Sequence, residues 1–271
     1  MKNFDEASAA TKAKRALREH FRGMATPDAM GYVPRPQENL VPGIALEDFE
    51  EDLRKGKGDE LRSKFCAVHS SSALAVNTFA YFKKDPSSLR LLGINGFSPP
   101  TFERQCPTGL GGTPPNLDVW LESQTEVVAI ESKLLEYFTP KEAKYSSSYQ
   151  RESLDSEDCW WEVLEASKAA GKRILDVGQL VKHYLGLRRF MSSTPSVGVA
   201  LLYLFWEPRN AMSVEVCMQH REEIEALSRQ VSGSQIPFRW MSYSQLWNEW
   251  GAVPELRSHV TNLRARYEVD L

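Results

Sequence analysis

Residues 115–133 have the sequence PNLDVWLESQTEVVAIESK, and this stretch decides the fold. Residues 116–121 are a short, mostly apolar run that is suited to a strand. Residues 127–130 are apolar without a break, which is typical of a strand buried on both faces. The polar residues 123–126 lie between them and predict a tight turn. The stretch is therefore predicted to be an antiparallel hairpin whose second strand is central in a sheet.

The register of this hairpin brings two acidic residues together. A turn centred between Gln124 and Thr125 places Asp118 directly opposite Glu131. Their Cβ atoms are then expected roughly 4.5–5.5 Å apart on one face of the sheet. Lys133 lies two residues after Glu131 and points to the same face.

Two carboxylates at this distance repel each other unless a cation or a shifted pKa relieves the charge. Mg²⁺ is the natural cation, because it takes oxygen ligands and keeps several waters, and Mn²⁺ is the alternative. The Ser132 backbone carbonyl could add a further ligand beside Asp118 and Glu131. Water activated by the cation, with Lys133 stabilising negative charge, suits phosphodiester hydrolysis. The alternative is a solvated strand face with an ordinary ion pair, which the apolar surroundings of the strand disfavour.

The rest of the chain predicts helices on both sides of a mixed sheet, an α/β fold. Proline-rich residues 26–42 are expected to form a connecting arm, and residues 139–156 a long loop. Strands are predicted at 89–94, 102–106, 116–121, 126–134, 197–206 and 238–243. Helices are predicted at 5–22, 46–55, from 59 onward, from 70 to about 83, and at 157–170, 173–190, 215–231 and 255–268.

The spacing of Asp118, Glu131 and Lys133 resembles the catalytic signature of the PD-(D/E)xK nuclease superfamily. The resemblance extends to putative restriction endonucleases and implies the restriction-endonuclease-like fold with its αβββαβ core. It covers residues 59–206. Residues 1–58 are then expected to be an N-terminal helical arm and linker, and residues 207–271 a C-terminal extension packed on that core, in one compact domain. One departure is the Pro-Asp dipeptide of the superfamily, which here is spread over Pro115-Asn-Leu-Asp118.

The resemblance also implies supporting residues. Members often place an acidic ligand on the helix before the sheet, and Glu60 is the best match, with Glu103 as the second candidate. A Gln on the helix after the catalytic strand marks an exonuclease-like branch, and Gln179 occupies that place as an active-site contact. His183, four residues later, shares its helix face. Our preferred interpretation of His183 is a partly buried polar residue.

The charge balance permits a nucleic-acid substrate without indicating one. The 271 residues carry 33 Lys and Arg against 36 Asp and Glu, a net charge of −3. Some of the acids are predicted metal ligands, so bound Mg²⁺ would change the local charge that a substrate meets. Basic and aromatic residues of the loop after the catalytic strand are the candidate nucleic-acid contacts: Lys141, Lys144, Tyr145 and Tyr149.

The function expected from the resemblance is a Mg²⁺-dependent DNA endonuclease of restriction or defence type, with RNA left open as a substrate. Two alternatives stay open: an inactive nuclease-fold module that binds nucleic acid or protein, and a repair-type exonuclease. A serine hydrolase or a P-loop enzyme has no support, because neither GxSxG nor a P-loop is present. Four scattered cysteines and a polar N-terminus predict a cytoplasmic protein without a membrane partner. A homodimer is left open.

Overall fold

The computed structural model describes residues 8–23, 25–55 and 64–271, and a five-stranded sheet forms their centre. Its strands are β1 (Thr101–Gln105), β2 (Asn116–Glu122), β3 (Glu126–Lys133), β6 (Gly198–Phe205) and β7 (Phe238–Ser242). Their order across the sheet is β1-β2-β3-β6-β7. A separate small sheet pairs β4 (Lys141–Glu142) with β5 (Lys172–Arg173).

Helices cover both faces of the central sheet. They are α1 (Ala9–His20), α2 (Glu50–Lys55), α3 (Ser71–Phe79), α4 (Asp158–Ala169), α5 (Val177–Ser193), α6 (Glu215–Gln230), α7 (Tyr243–Gly251) and α8 (Arg257–Tyr267). One hydrophobic core packs α1, α2, α3, α7 and α8 against the sheet, and a second packs α4, α5 and most of α6 against the other face. The predicted α/β fold with a mixed central sheet is confirmed. In the described ranges, no helix combines the length and the apolar character that crossing a membrane requires.

The hairpin has the register that its turn predicts. Val119 pairs with Ile130 and Glu122 with Val127, and the Ser123 N–H donates to the Glu126 carbonyl at 2.8 Å. β1 and β3 both run antiparallel to β2, whereas β6 and β7 run parallel to β3. The end of β1, the start of β2 and the end of β3 therefore lie at one edge of the sheet, which we call the carboxyl edge.

The position of β3 explains its unbroken apolar run. β3 lies between β2 and β6, in the middle of the sheet. Val128 and Ile130 belong to the core under α3, whereas Val127 and Ala129 belong to the core under α5. Because successive strand residues face opposite sides, both sides must be apolar in a strand that is covered twice.

Two predicted elements differ from the structure, and one further helix had no counterpart in the prediction. The segment Leu89–Ile94 forms a tight turn, closed by hydrogen bonds between Leu91 and Ile94, with Leu92 and Gly93 at positive φ. Its apolar residues are buried under the helices, so their hydrophobicity reflects core packing. The helix predicted from Arg173 begins only at Val177, because Arg173 belongs to β5. Helix α7 was not predicted, although Ser242 and Gln245 form a capping box at its start.

Candidate active site

The predicted acidic pair lies where β2 and β3 separate at the carboxyl edge. The observed pairing ends at Val119 and Ile130, one step before Asp118 and Glu131. Beyond that step, the Ser132 N–H donates to Asp118 Oδ2 at 2.6 Å. The carboxylate of Asp118 therefore lies against the backbone of β3, beside the residue that follows Glu131.

Ser132 contributes its backbone to this gap and its side chain to the opposite core. Its hydroxyl is hydrogen-bonded to the Tyr243 hydroxyl of α7 at 2.7 Å. In a strand, the N–H and C=O of one residue point to the same side. Because the Ser132 N–H meets Asp118, the Ser132 carbonyl also faces the gap between β2 and β3.

Glu131 is a buried carboxylate that lies between Lys133 and His183. The Lys133 ammonium donates to Oε1, and His183 Nε2 of α5 lies 2.7 Å from Oε2. Burial by itself would raise the pKa of Glu131, but the charge of Lys133 and the contact with His183 lower this pKa to about 2. Glu131 is therefore held as a carboxylate, in a fixed orientation, at neutral pH.

Lys133 is bound between the sheet and α5. Its ammonium donates to Gln179 Oε1 at 3.0 Å as well as to Glu131. Burial disfavours the charge, but Glu131 and Asp118 raise the pKa of Lys133 above its usual range. Asp176 caps α5 by accepting the Gln179 N–H at 3.0 Å, so the helix start fixes where the Gln179 side chain begins.

Asp118 differs electrostatically from Glu131. Burial, followed by the charge of Glu131, raises the pKa of Asp118 well above its ordinary value. Its Oδ1 atom has no hydrogen-bond donor among residues 8–23, 25–55 and 64–271. The charged form of Asp118 is therefore disfavoured by its surroundings in the described part of the protein, and a bound cation would stabilise it.

Glu103 adds a third acid to this edge. Phe102 pairs with Val119 and Arg104 with Leu117, which places Glu103 opposite Asp118. Its backbone has φ 53°, in the left-handed region that is costly for a side chain with a Cβ, and such strain often lies at functional sites. The Glu103 carboxylate accepts a hydrogen bond from Asn116 at 3.1 Å and adds to the raised pKa of Asp118.

The donor set fits a hard divalent cation. Asp118 and Glu131 offer carboxylate oxygens and Ser132 a carbonyl, which are the ligands that Mg²⁺ prefers. A divalent cation between the two carboxyl groups would favour the ionised form of Asp118, which burial and Glu131 disfavour. As placed, no three acidic, His or Cys side chains in the described residues converge on one point. The predicted ligand Glu60 lies outside the described residues.

The four predicted nucleic-acid residues lie beside the start of α5. Lys141 and Lys144 are exposed, and the Lys141 ammonium lies 3.6 Å from Asp176. The Tyr145 hydroxyl bonds to Ser167 at 2.7 Å, and the Tyr149 ring is buried in the core under α5. The two lysines are thus the part of this loop that a bound strand could reach, whereas Tyr149 offers little surface for stacking.

Comparison with known proteins agrees with this geometry. A model of the family described as "Restriction Endonuclease associating with ARP" matches residues 6–268. The chain belongs to this restriction endonuclease family. Neither the curated proteins nor the solved structures contain a significant match. The family match confirms the resemblance to restriction endonucleases that the hairpin indicated. The matched residues 6–268 include the helices on both sides of the sheet.

Sequence reasoning undervalued His183. In the structure its side chain is fully buried, and it contacts the same carboxylate as Lys133. The available signal was its spacing of four residues from Gln179, which places both side chains on the face of α5 that meets the sheet. That spacing shows a shared face, but it cannot show which strand residue lies under the face.

Proposed function

We propose that this chain is a divalent-cation-dependent endonuclease that cleaves DNA at the centre formed by Asp118, Glu131 and Lys133. The observation that carries the proposal is the pairing of these residues at the gap between β2 and β3. Glu131 is paired with Lys133, whereas Asp118 has a raised pKa that a bound cation would lower. Membership of a restriction endonuclease family supports DNA as the substrate.

The residues of this centre have different roles in the proposed reaction. Asp118, Glu131 and the Ser132 carbonyl would hold Mg²⁺. A bound Mg²⁺ supplies Lewis-acid polarisation of the phosphodiester and a water of lowered pKa as nucleophile. Lys133, kept charged by its acidic neighbours, stabilises the negative charge that develops on the phosphate during in-line attack. A preformed charge of this kind costs no reorganisation at the moment of reaction.

Two residues of α5 act through these groups as positioning residues. Gln179 accepts a hydrogen bond from Lys133 and limits where the ammonium can lie. His183 occupies the second oxygen of Glu131 and fixes the orientation of that carboxylate. Because both lie on one helix face, α5 aligns the lysine and the acid together.

Cleavage of supercoiled plasmid tests the activity. With Mg²⁺, the wild-type protein should convert supercoiled plasmid to nicked and linear forms, and EDTA should abolish the conversion. Asp118→Asn should lose the activity. Glu223→Gln is the matched control, because it also removes the charge of a largely buried carboxylate. Glu223 lies on α6 and is paired with Arg173. Equal cleavage by wild type and Asp118→Asn would refute the proposed centre, and a wild type inert towards plasmid would favour a binding module.

Calorimetric titration with Mg²⁺ separates the roles of the acid and the lysine. Lys133→Met keeps the length of the side chain but removes the charge, so this variant should bind Mg²⁺ and fail to cleave. Asp118→Asn should lose both binding and cleavage. If Lys133→Met cleaves at the wild-type rate, Lys133 has no part in stabilising the transition state.

A further inference from the structure

Two cavities adjoin each other beyond the candidate active site, at the side of β1. The first has a volume of about 270 Å³ and is lined by Arg104, Trp120 and Phe190 among others. The second has about 280 Å³ and contains Asp155 on its wall. Arg189 of α5 lines both cavities and forms the wall between them.

Arg189 is an exposed cation without a charged partner among the described residues. In residues 8–23, 25–55 and 64–271, its guanidinium has neither an ion pair nor a hydrogen bond. It rests on the backbone of Gly109, where a Cβ atom would overlap the guanidinium. The neighbouring Arg188, by contrast, is paired with Asp155 and hydrogen-bonded to Gln235. The protein therefore presents Arg189 without using it for its own stability.

Arg104 supplies a second guanidinium to the first cavity. Its central carbon lies 4.0 Å from the centroid of the Trp120 ring and 5.7 Å from that of Phe190. Stacking on an aromatic face orients the planar group while leaving its donors available. The ion pair of Arg104 with Glu122 has a distance of 3.5 Å and is partly exposed, so it is weak.

The cavities lie close to the candidate active site and at the same edge. β1 is two strands away from β3, and neighbouring strands are about 4.8 Å apart, which gives about 10 Å across the sheet. Arg189 follows His183 by six residues, which corresponds to about 9 Å along α5. Cys106 and Pro107, which line the first cavity, follow β1 at the carboxyl edge.

We propose that Arg189 and Arg104 bind backbone phosphates of the DNA strand that flanks the cleaved bond, about 10 Å from Glu131. The ligand class follows from the donors, because guanidinium groups bind phosphate oxygens in a bidentate manner. Asp155, on the wall of the second cavity, lies 3.4 Å from Arg188, which offsets part of its charge. The identity of the ligand as DNA rests on the proposed function.

Fluorescence anisotropy with a labelled 20-base-pair duplex in EDTA tests the site without cleavage. Loss of one phosphate contact at Arg189→Ala should weaken binding about 8-fold at 0.1 M salt and reduce the slope of log K against log salt by about 1. Arg189→Lys should retain most of the slope. Arg239→Ala is the matched control, because Arg239 is an exposed cation on β7, at the opposite side of the sheet.

Three results would overturn the proposal. The first is a slope of log K against log salt in Arg189→Ala that equals the wild-type slope. The second is an equal loss in Arg239→Ala, which would indicate diffuse charge instead of a site. The third is no binding of the duplex by wild type.

Arg189→Gln removes the charge with little change in length, and the thermal unfolding midpoint of each variant checks the fold. A protein that binds through Arg189 but cleaves no plasmid would refute the proposed nuclease activity and leave this site established.

Discussion

The contact between His183 and Glu131 predicts a large and specific loss of stability. His183→Ala removes the group that lies 2.7 Å from Glu131 Oε2 in a fully buried position. Among the described residues, the carboxylate then keeps Lys133 on Oε1 and loses the ring beside Oε2. His259 offers a matched comparison, because it is also a buried His, and its Nε2 meets the Thr78 carbonyl at 3.0 Å.

The expected difference follows from the two partners. Both substitutions delete the same ring from a buried site, so their losses of packing are similar. His259→Ala leaves a neutral carbonyl unpaired, whereas His183→Ala removes the ring nitrogen that lies beside a buried carboxylate, and exposing that charge costs more. We expect the free energy of unfolding to fall by about 2 kcal/mol more for His183→Ala than for His259→Ala.

Urea unfolding followed by tryptophan fluorescence at pH 7 measures both variants under the same conditions. His183→Gln, whose amide can donate to Glu131, should recover part of the loss. Equal destabilisation of the two alanine variants, within about 0.5 kcal/mol, would refute the reasoning. Glu131 would then not depend on His183 for its stabilisation.

Three further predictions follow from single contacts. Gln179→Leu removes the side-chain oxygen that accepts a hydrogen bond from Lys133 at 3.0 Å. In steady-state cleavage assays, we expect kcat to fall roughly 10- to 100-fold with little change in KM. An unchanged kcat would contradict a positioning role for Gln179. Burial lowers the pKa of His259 to about 4, so the unfolded chain binds the proton at a higher pH than the folded protein does. The free energy of unfolding should therefore decrease by about 3 kcal/mol as pH falls from about 6.5 to about 4. His259→Gln should flatten that decrease in urea titrations at several pH values. Gly186→Ala would drive a Cβ into the Cys106 carbonyl oxygen and should cost about 1–3 kcal/mol, whereas Gly251→Ala, with room for a Cβ, should not destabilise the protein in the same assay.

The hairpin and its acidic pair could be predicted because they depend on local rules. A turn of known length and a side-chain period of two determine which residues of a hairpin face each other. These two rules are sufficient to predict that Asp118 and Glu131 lie close together. The five strands of the central sheet also follow from patterns along the chain. Membership of the family extends this agreement to nearly the whole sequence.

The remaining features depend on contacts between distant segments. Leu89–Ile94 has the composition of a strand, but its hydrophobic residues serve the core while the backbone turns. The contact of His183 with Glu131 joins α5 to β3, and only the packing of that helix on the sheet determines which carboxylate lies under it. The exposed position of Arg189 on Gly109 likewise depends on how a glycine-rich loop folds back onto α5.

A crystal structure of the protein with Mn²⁺ would test the central claim most directly. The anomalous signal of the ion locates it independently of the protein atoms. We predict one peak in the gap between β2 and β3, about 2.1 Å from oxygens of Asp118 and Glu131 and near the Ser132 carbonyl. A peak elsewhere, or none in this gap at saturating Mn²⁺, would contradict the proposal that these residues form the metal centre of a nuclease.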